Sequence, residues 1–228
     1  MQVRPSISTF HAQKTLTAYS SAYPALKMTV PAASALAPSD MPQAGRRIPG
    51  NQGIWVGITC EFVEFLVLFC VYFVARAHFP EAFRQGAEQL SRTAGTIITL
   101  LMVTSSYCIA CSVHTMRAGQ RQRSLYWLIA GLVVALGYPL AKILEIRWNF
   151  AHGINGGSGI FFTVYYYLTL NHLVHATWGI LGILWVLARH LAGIYTAEDY
   201  SGLEALASYW HATDIIWLCI FPFFYVLA

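Results

Sequence analysis

The chain has 228 residues, of which 57% are hydrophobic and only 11% are Asp, Glu, Lys or Arg, with a formal net charge of +4. Soluble domains carry about 25% charged residues, so this composition excludes an ordinary water-soluble globule and makes lipid the solvent for most of the chain. The basic residues lie scattered at the ends of apolar runs with no basic stripe among them, which excludes a nucleic-acid partner.

In chain order, residues 1–51 differ from everything after them: Ala, Ser, Thr and Pro dominate, and no acidic residue precedes Asp40. This reads as a disordered N-terminal tail. Its basic, acid-free start also resembles a targeting segment, and Met28 and Met41 offer alternative starts if the reading frame is over-long. Residues 52–228 form one transmembrane domain. Its first apolar run covers 53–75, followed by a polar loop over 76–92 that Pro80 helps break. The second run covers 94–116 and closes on Arg117, Arg121 and Arg123. The third covers 125–144 and should kink at Gly137 and Pro139. The glycine-rich stretch 153–159 cannot be helical at low cost and forms a loop. The fourth run covers 160–187, a polar acidic link follows at 195–202, and the last run covers 203–227.

A spanning segment must satisfy its backbone hydrogen bonds internally, and these runs lack the alternation of a barrel. The fold class expected is all-α: a polytopic integral membrane bundle of about five transmembrane helices. The arginines favour N-in/C-out, with Arg46, Arg47, Arg117, Arg121, Arg123 and Arg189 inside against Arg76, Arg84, Arg92 and Arg147 outside. No internal repeat is visible, which argues against a secondary transporter.

Ionisable side chains at membrane depth cost at least about 2.5 kcal/mol each on insertion scales, so each needs a partner or a purpose. Here they come in groups spaced three apart, on one helical face each: Glu61 and Glu64, Lys142 and Glu145, His172 and His175 beside Asn171, and His211 and Asp214. Three readings are open. The groups can surround iron or copper, as helix bundles elsewhere do, although the di-iron pattern of Glu-x-x-His on two helices is absent. They can hold helices in register or contact lipid headgroups. The Glu61 and Glu64 pair can also handle protons. The structural or lipid reading is preferred, with Lys142 and Glu145 as an interfacial ion pair. A stand-alone metalloenzyme or a transporter using these groups is the alternative.

Trp55, Trp127, Trp148, Trp210 and Trp217 are expected mostly near span ends as headgroup anchors. Tyr165 to Tyr167 are expected to pack, and Gly179 and Gly182 to permit a close helix crossing. The five cysteines lie within apolar runs; Cys108 and Cys111 have a redox-like spacing in the wrong context, so all read as small hydrophobes.

Three stretches carry a family likeness: GIWVGITCEF, FFTVYYYLTLNHLVHATWG and LEALASYWHATDIIWLCIFPFFYVL. Together they resemble subunit III of the haem-copper oxidases. The matching positions are Glu61, then His172, His175 and Gly179, and in the last stretch Glu204, Tyr209, Trp210, His211, Asp214, Trp217 and Tyr225; LLMVTSS, His114 and Glu145 add weaker support. The resemblance covers residues 53–227. Full-length members have two further N-terminal spans that enclose lipid in a cleft. This chain lacks them and resembles the five-span branch, which includes accessory subunits of nitric oxide reductase. The family's asparagine before the threonine of the second span is replaced by Ile98 before Thr99.

The resemblance implies a non-catalytic accessory subunit of a terminal oxidase or nitric oxide reductase, in a bacterial plasma membrane. No cofactor is expected in this chain; haem with copper or non-haem iron belongs to the partner, a haem-containing catalytic subunit. Phospholipid is the second partner. Glu61 and Glu64 are the candidates for proton uptake or complex stability, while His172, His175, Glu204, His211, Asp214, Glu145 and His114 form the lipid-facing or interhelical polar network.

Overall fold

A computed structural model describes residues 48–227. Of the expected N-terminal tail, residues 1–47 lie outside the described residues. Six helices follow: α1 Gln52–His78, α2 Pro80–Gln89, α3 Arg92–Arg117, α4 Arg121–Ala151, α5 Ile160–Leu191 and α6 Ser201–Tyr225, with no strand among the described residues. The chain is a polytopic helical membrane bundle. Four of the helices, α1, α3, α4 and α5, are both long and apolar enough to cross a membrane.

The fifth expected span, α6, is outside that set because Glu204, His211 and Asp214 dilute its hydropathy. Its 25 residues nonetheless extend about 37 Å. It is also the central post: thirteen of those 25 residues are buried, against four of 27 in α1. A helix so enclosed can carry polar groups because they face protein instead of lipid.

The ends pair up as an alternating bundle requires. At one end the Gly50 N–H donates to Glu204 Oε2 (3.3 Å), Arg117 Nε to the Tyr200 hydroxyl (3.0 Å) and Arg121 Nη2 to the His190 carbonyl (2.7 Å). At the other, Tyr72 Oη donates to the Phe223 carbonyl (2.7 Å) and Arg76 Nη2 to that of Leu227 (2.5 Å). Between α3 and α4 small hydroxyls join the helices, Ser105 Oγ donating to the Gly131 carbonyl and Ser112 Oγ to that of Ser124, each at 2.9 Å.

Local signals fix the helix boundaries. The Asn51 side chain caps α1 by accepting from the Ile54 N–H (2.9 Å), and Ser91 caps α3 by accepting from the Ala94 N–H (3.2 Å). The glycine-rich loop forms as expected: α4 stops where Gly153 takes a φ of +76°. Helix α4 runs to 31 residues and continues through Pro139 without a break.

Two expectations are corrected. The polar loop at 76–92 contains α2, with Pro80 at its first helical position, where the missing N–H costs nothing. Phe83, Gly86 and Ala87 face inward, and the Phe83 ring meets Tyr72 and Phe161 edge-on, both at 5.3 Å between centroids. Outside, Arg84 holds Glu81 at 2.6 Å and Glu88 at 2.8 Å. The Arg84 hydrogen bond, aided by Gln85, lowers the Glu81 carboxyl to about 2. The second correction concerns tryptophan. Trp55 and Trp148 are exposed, but Trp210 and Trp217 are fully buried mid-bundle. The Trp217 indole donates to Thr99 Oγ1 (3.0 Å), so α6 is tied to α3 from inside.

Gly179 and Gly182 do mark a close crossing of α5 and α6. A Cβ at 179 would lie 2.6 Å from Trp210 Cε3, and one at 182 would lie 3.3 Å from Leu206 Cδ1.

Candidate functional site

Helix α1 places Glu61 and Glu64 on the face toward α5, and α5 returns Asn171, His172 and His175. The His175 ring stands between the two carboxylates, with Nδ1 3.1 Å from Glu61 Oε1 and Nε2 3.3 Å from Glu64 Oε2. Two acceptors facing two ring nitrogens require either an imidazolium or a proton on one carboxyl. Glu61 is buried, 4% exposed, and also takes a long contact from Thr213 Oγ1 (3.4 Å); its Oε2 has no partner. Glu64 is half-exposed, its side chain 47% accessible, and accepts from Asn171 Nδ2 at 2.6 Å. His175 therefore links a buried acid to one at the bundle surface.

His172, one turn away, does different work. Its Nε2 lies 3.0 Å from the Thr213 carbonyl and its Nδ1 2.8 Å from the Tyr138 hydroxyl. A carbonyl only accepts, so Nε2 carries a hydrogen, and in the neutral ring Nδ1 accepts from Tyr138. With both nitrogens satisfied and the residue fully buried, His172 fastens α4, α5 and α6 together.

Lys142 and Glu145 form the expected ion pair at 2.9 Å, but its surroundings are corrected: both side chains are sealed inside the bundle, 0% and 1% accessible. Two tyrosines complete the shell. Tyr165 Oη and Tyr225 Oη donate to Glu145 Oε1 at 3.0 and 2.7 Å, and Lys142 Nζ reaches the same two hydroxyls at 2.9 and 3.3 Å. An ion pair in a low-dielectric core is tolerable when its spare lone pairs and protons are also engaged, and here they are.

The remaining sequence candidates separate. His211 Nδ1 and Ser106 Oγ lie 2.5 Å apart between α6 and α3. Asp214 is buried near the same serine, with Oδ1 unpartnered. Glu204 sits at the other end of α6, holding the Gly50 amide, and His114 is exposed on α3. Cys108 and Cys111 are free thiols within α3. Among the described residues, no group of three or more His, Cys, Asp or Glu is arranged to hold a metal ion.

Sequence reasoning missed the polar role of the hydroxyls. Tyr138, Tyr165, Tyr225, Thr213 and Ser106 each complete a polar group. The available signal was that a tyrosine hydroxyl at membrane depth must find a partner.

The family model described as "Cytochrome c oxidase subunit III" matches residues 47–228. A probable cytochrome c oxidase subunit 3 of Mycobacterium leprae is 26% identical over 175 residues, covering 77% of this chain and 86% of the relative. A quinol oxidase subunit 3 of Bacillus spizizenii is 27% identical over 189 residues, covering 77% and 86%. A probable quinol oxidase subunit 3 of Staphylococcus aureus is 25% identical over 182 residues, covering 77% and 88%.

Proposed function

Because the chain belongs to the cytochrome c oxidase subunit III family, we propose that it is an accessory subunit of a terminal oxidase in a bacterial plasma membrane. It packs against the haem-containing catalytic subunit, which holds the haem and copper. Of the two complexes the sequence resembles, the names of the relatives favour the oxidase over nitric oxide reductase. The observation that carries the reading is that the match runs through the whole described bundle.

The finer role assigned is support of proton uptake and of the complex's working lifetime. It rests on Glu61, a buried acid with one unpartnered oxygen, joined through His175 to the half-exposed Glu64. Such a chain can relay a proton among Glu61, His175 and Glu64 by exchanging which member carries it. Phospholipid binding is supported by Arg189, whose guanidinium lies over Trp185 and Tyr195, 5.9 and 5.8 Å from their centroids, beside a cavity of about 330 Å³. A cation held between aromatics at a helix end suits an anionic headgroup. The arginine distribution supports N-in/C-out.

The test is purification through a tag on this chain. The expected result is a haem spectrum and oxygen consumption in what comes down. A chain that comes down alone, or that is itself coloured or turns over a gas unaided, overturns the reading.

A further inference from the structure

Glu64 is the thirteenth of the 27 residues of α1, so about 18 Å of helix lie on one side of it and about 21 Å on the other. In a hydrocarbon core about 30 Å thick this is the middle. There its side chain is 47% accessible. It lines an open groove of about 430 Å³ between α1 and α5, walled by Thr163, Tyr167, Leu170, Asn171 and Val174.

Charge at this point does not balance. Two carboxylates, Glu61 and Glu64, share one imidazole, and the nearest amide, Asn171, is neutral. Lys142 is committed to Glu145. Glu61 is 4% exposed, and its Oε2 makes no hydrogen bond of its own, with the Tyr209 hydroxyl beside the same carboxylate. The cluster holds one more acid than it has basic groups, and Glu64 is the acid that opens onto the groove.

Lipid cannot supply a basic group at that depth. Phospholipid headgroups stay at the interface, and acyl chains, which reach mid-depth, bear no donor. A side chain on a spanning helix can reach that depth. The exposed face of α1 is shaped for such a neighbour: Gly57, Cys60, Glu64, Val67 and Val71 repeat at intervals of three and four and are all exposed. A Cβ on Gly57 would touch nothing within 4 Å. Gly57 and Cys60, the small members of this stripe, let a second helix approach closely at that end of α1.

We propose that the α1/α5 groove seats a membrane-spanning helix of another subunit, one that presents a lysine, arginine or histidine to Glu64 at mid-depth. This rests on the reading of the chain as a subunit of a larger complex.

The test uses the purified complex with the photo-crosslinker benzoylphenylalanine at Leu170, and at Val133, 63% exposed on α4, as a control face. Leu170 is expected to yield an adduct that maps to a spanning segment of a partner subunit containing a basic residue, with no such adduct from Val133. Glu64→Lys should lower that yield at least ten-fold, Glu64→Gln less, and Glu61→Gln little. Adducts from Leu170 only to phospholipid, to a second copy of this chain or to its own residues 1–47 overturn the proposal, as does an unchanged yield in Glu64→Lys. A tagged chain that brings down no haem subunit overturns the accessory reading and this proposal together. A haem-containing complex with lipid adducts alone overturns only this one.

Discussion

Gly179 lies under the indole of Trp210, so close that a single added carbon would come within 2.6 Å of the ring. The contact fixes how near α5 and α6 approach, and everything that α6 offers to the polar groups of α5 depends on that spacing. Gly179→Val should destabilise the detergent-solubilised protein by about 1–3 kcal/mol, the range for overpacking a filled core. Gly182→Ala should be nearly neutral, because its nearest neighbour is the end of the flexible Leu206 side chain at 3.3 Å. Thermal unfolding of the two variants side by side checks this. Equal melting would mean that the crossing is looser than the glycine implies.

The Lys142–Glu145 pair makes a sharper prediction. Lys142→Met leaves a carboxylate buried against two tyrosine hydroxyls with its cation gone, and should cost about 3–5 kcal/mol. Tyr165→Phe removes one donor to a charged acceptor and should cost about 1.5–3 kcal/mol. The double variant Lys142→Met with Glu145→Leu should recover much of the loss, since no charge is then left buried. Denaturation midpoints of the three proteins read the order directly. A double variant weaker than Lys142→Met would mean the pair contributes net attraction.

What the sequence made legible, and what it did not, follows from the range of each interaction. The apolar runs located α1, α3, α4, α5 and α6 because lipid imposes a length and an apolarity that any spanning helix must meet. Helix α2 escaped because its inner face is only Phe83, Gly86 and Ala87, while Glu81, Arg84 and Glu88 dominate its composition. Glu61, Glu64, His172 and His175 announced themselves by spacing along one helix. Their partners did not, since Thr213 lies 152 residues from Glu61 and Tyr225 lies 80 from Glu145. Trp210 and Trp217 were misplaced for a related reason: the preference of indoles for headgroups describes surface tryptophans, and only tertiary packing tells which face is inward.

Outside the membrane, Glu81 gives a pH signature. Arg84 lowers its carboxyl from 4.5 to about 2. A depressed folded value means the contact stabilises above the free carboxylate range and loses that effect as pH falls through about 2. The difference in melting temperature between the wild type and Glu81→Gln should be constant from neutral pH down to about 5. It should shrink progressively below that and vanish only once the pH is below about 2. A difference that grows on acidification would contradict the contact.

The functional weight falls on Glu61. Glu61→Gln keeps the shape of the side chain and one oxygen for the His175 contact, but removes the cluster's buried carboxyl and its ability to bind and release a proton. If the acid serves proton entry or durability, the purified complex should start at a rate within a few-fold of the wild type and then lose activity faster during turnover. His175→Asn should do the same, because it cuts the link from Glu61 to Glu64 while leaving both carboxyls. His172→Gln should behave differently: His172 contacts Tyr138 and the Thr213 carbonyl and no carboxylate, so its loss should lower melting temperature without changing decay per turnover. Oxygen consumption followed to exhaustion, beside a thermal melt, separates the two patterns. Parallel decay curves for wild type, Glu61→Gln and His175→Asn would reduce the cluster to a helix fastener.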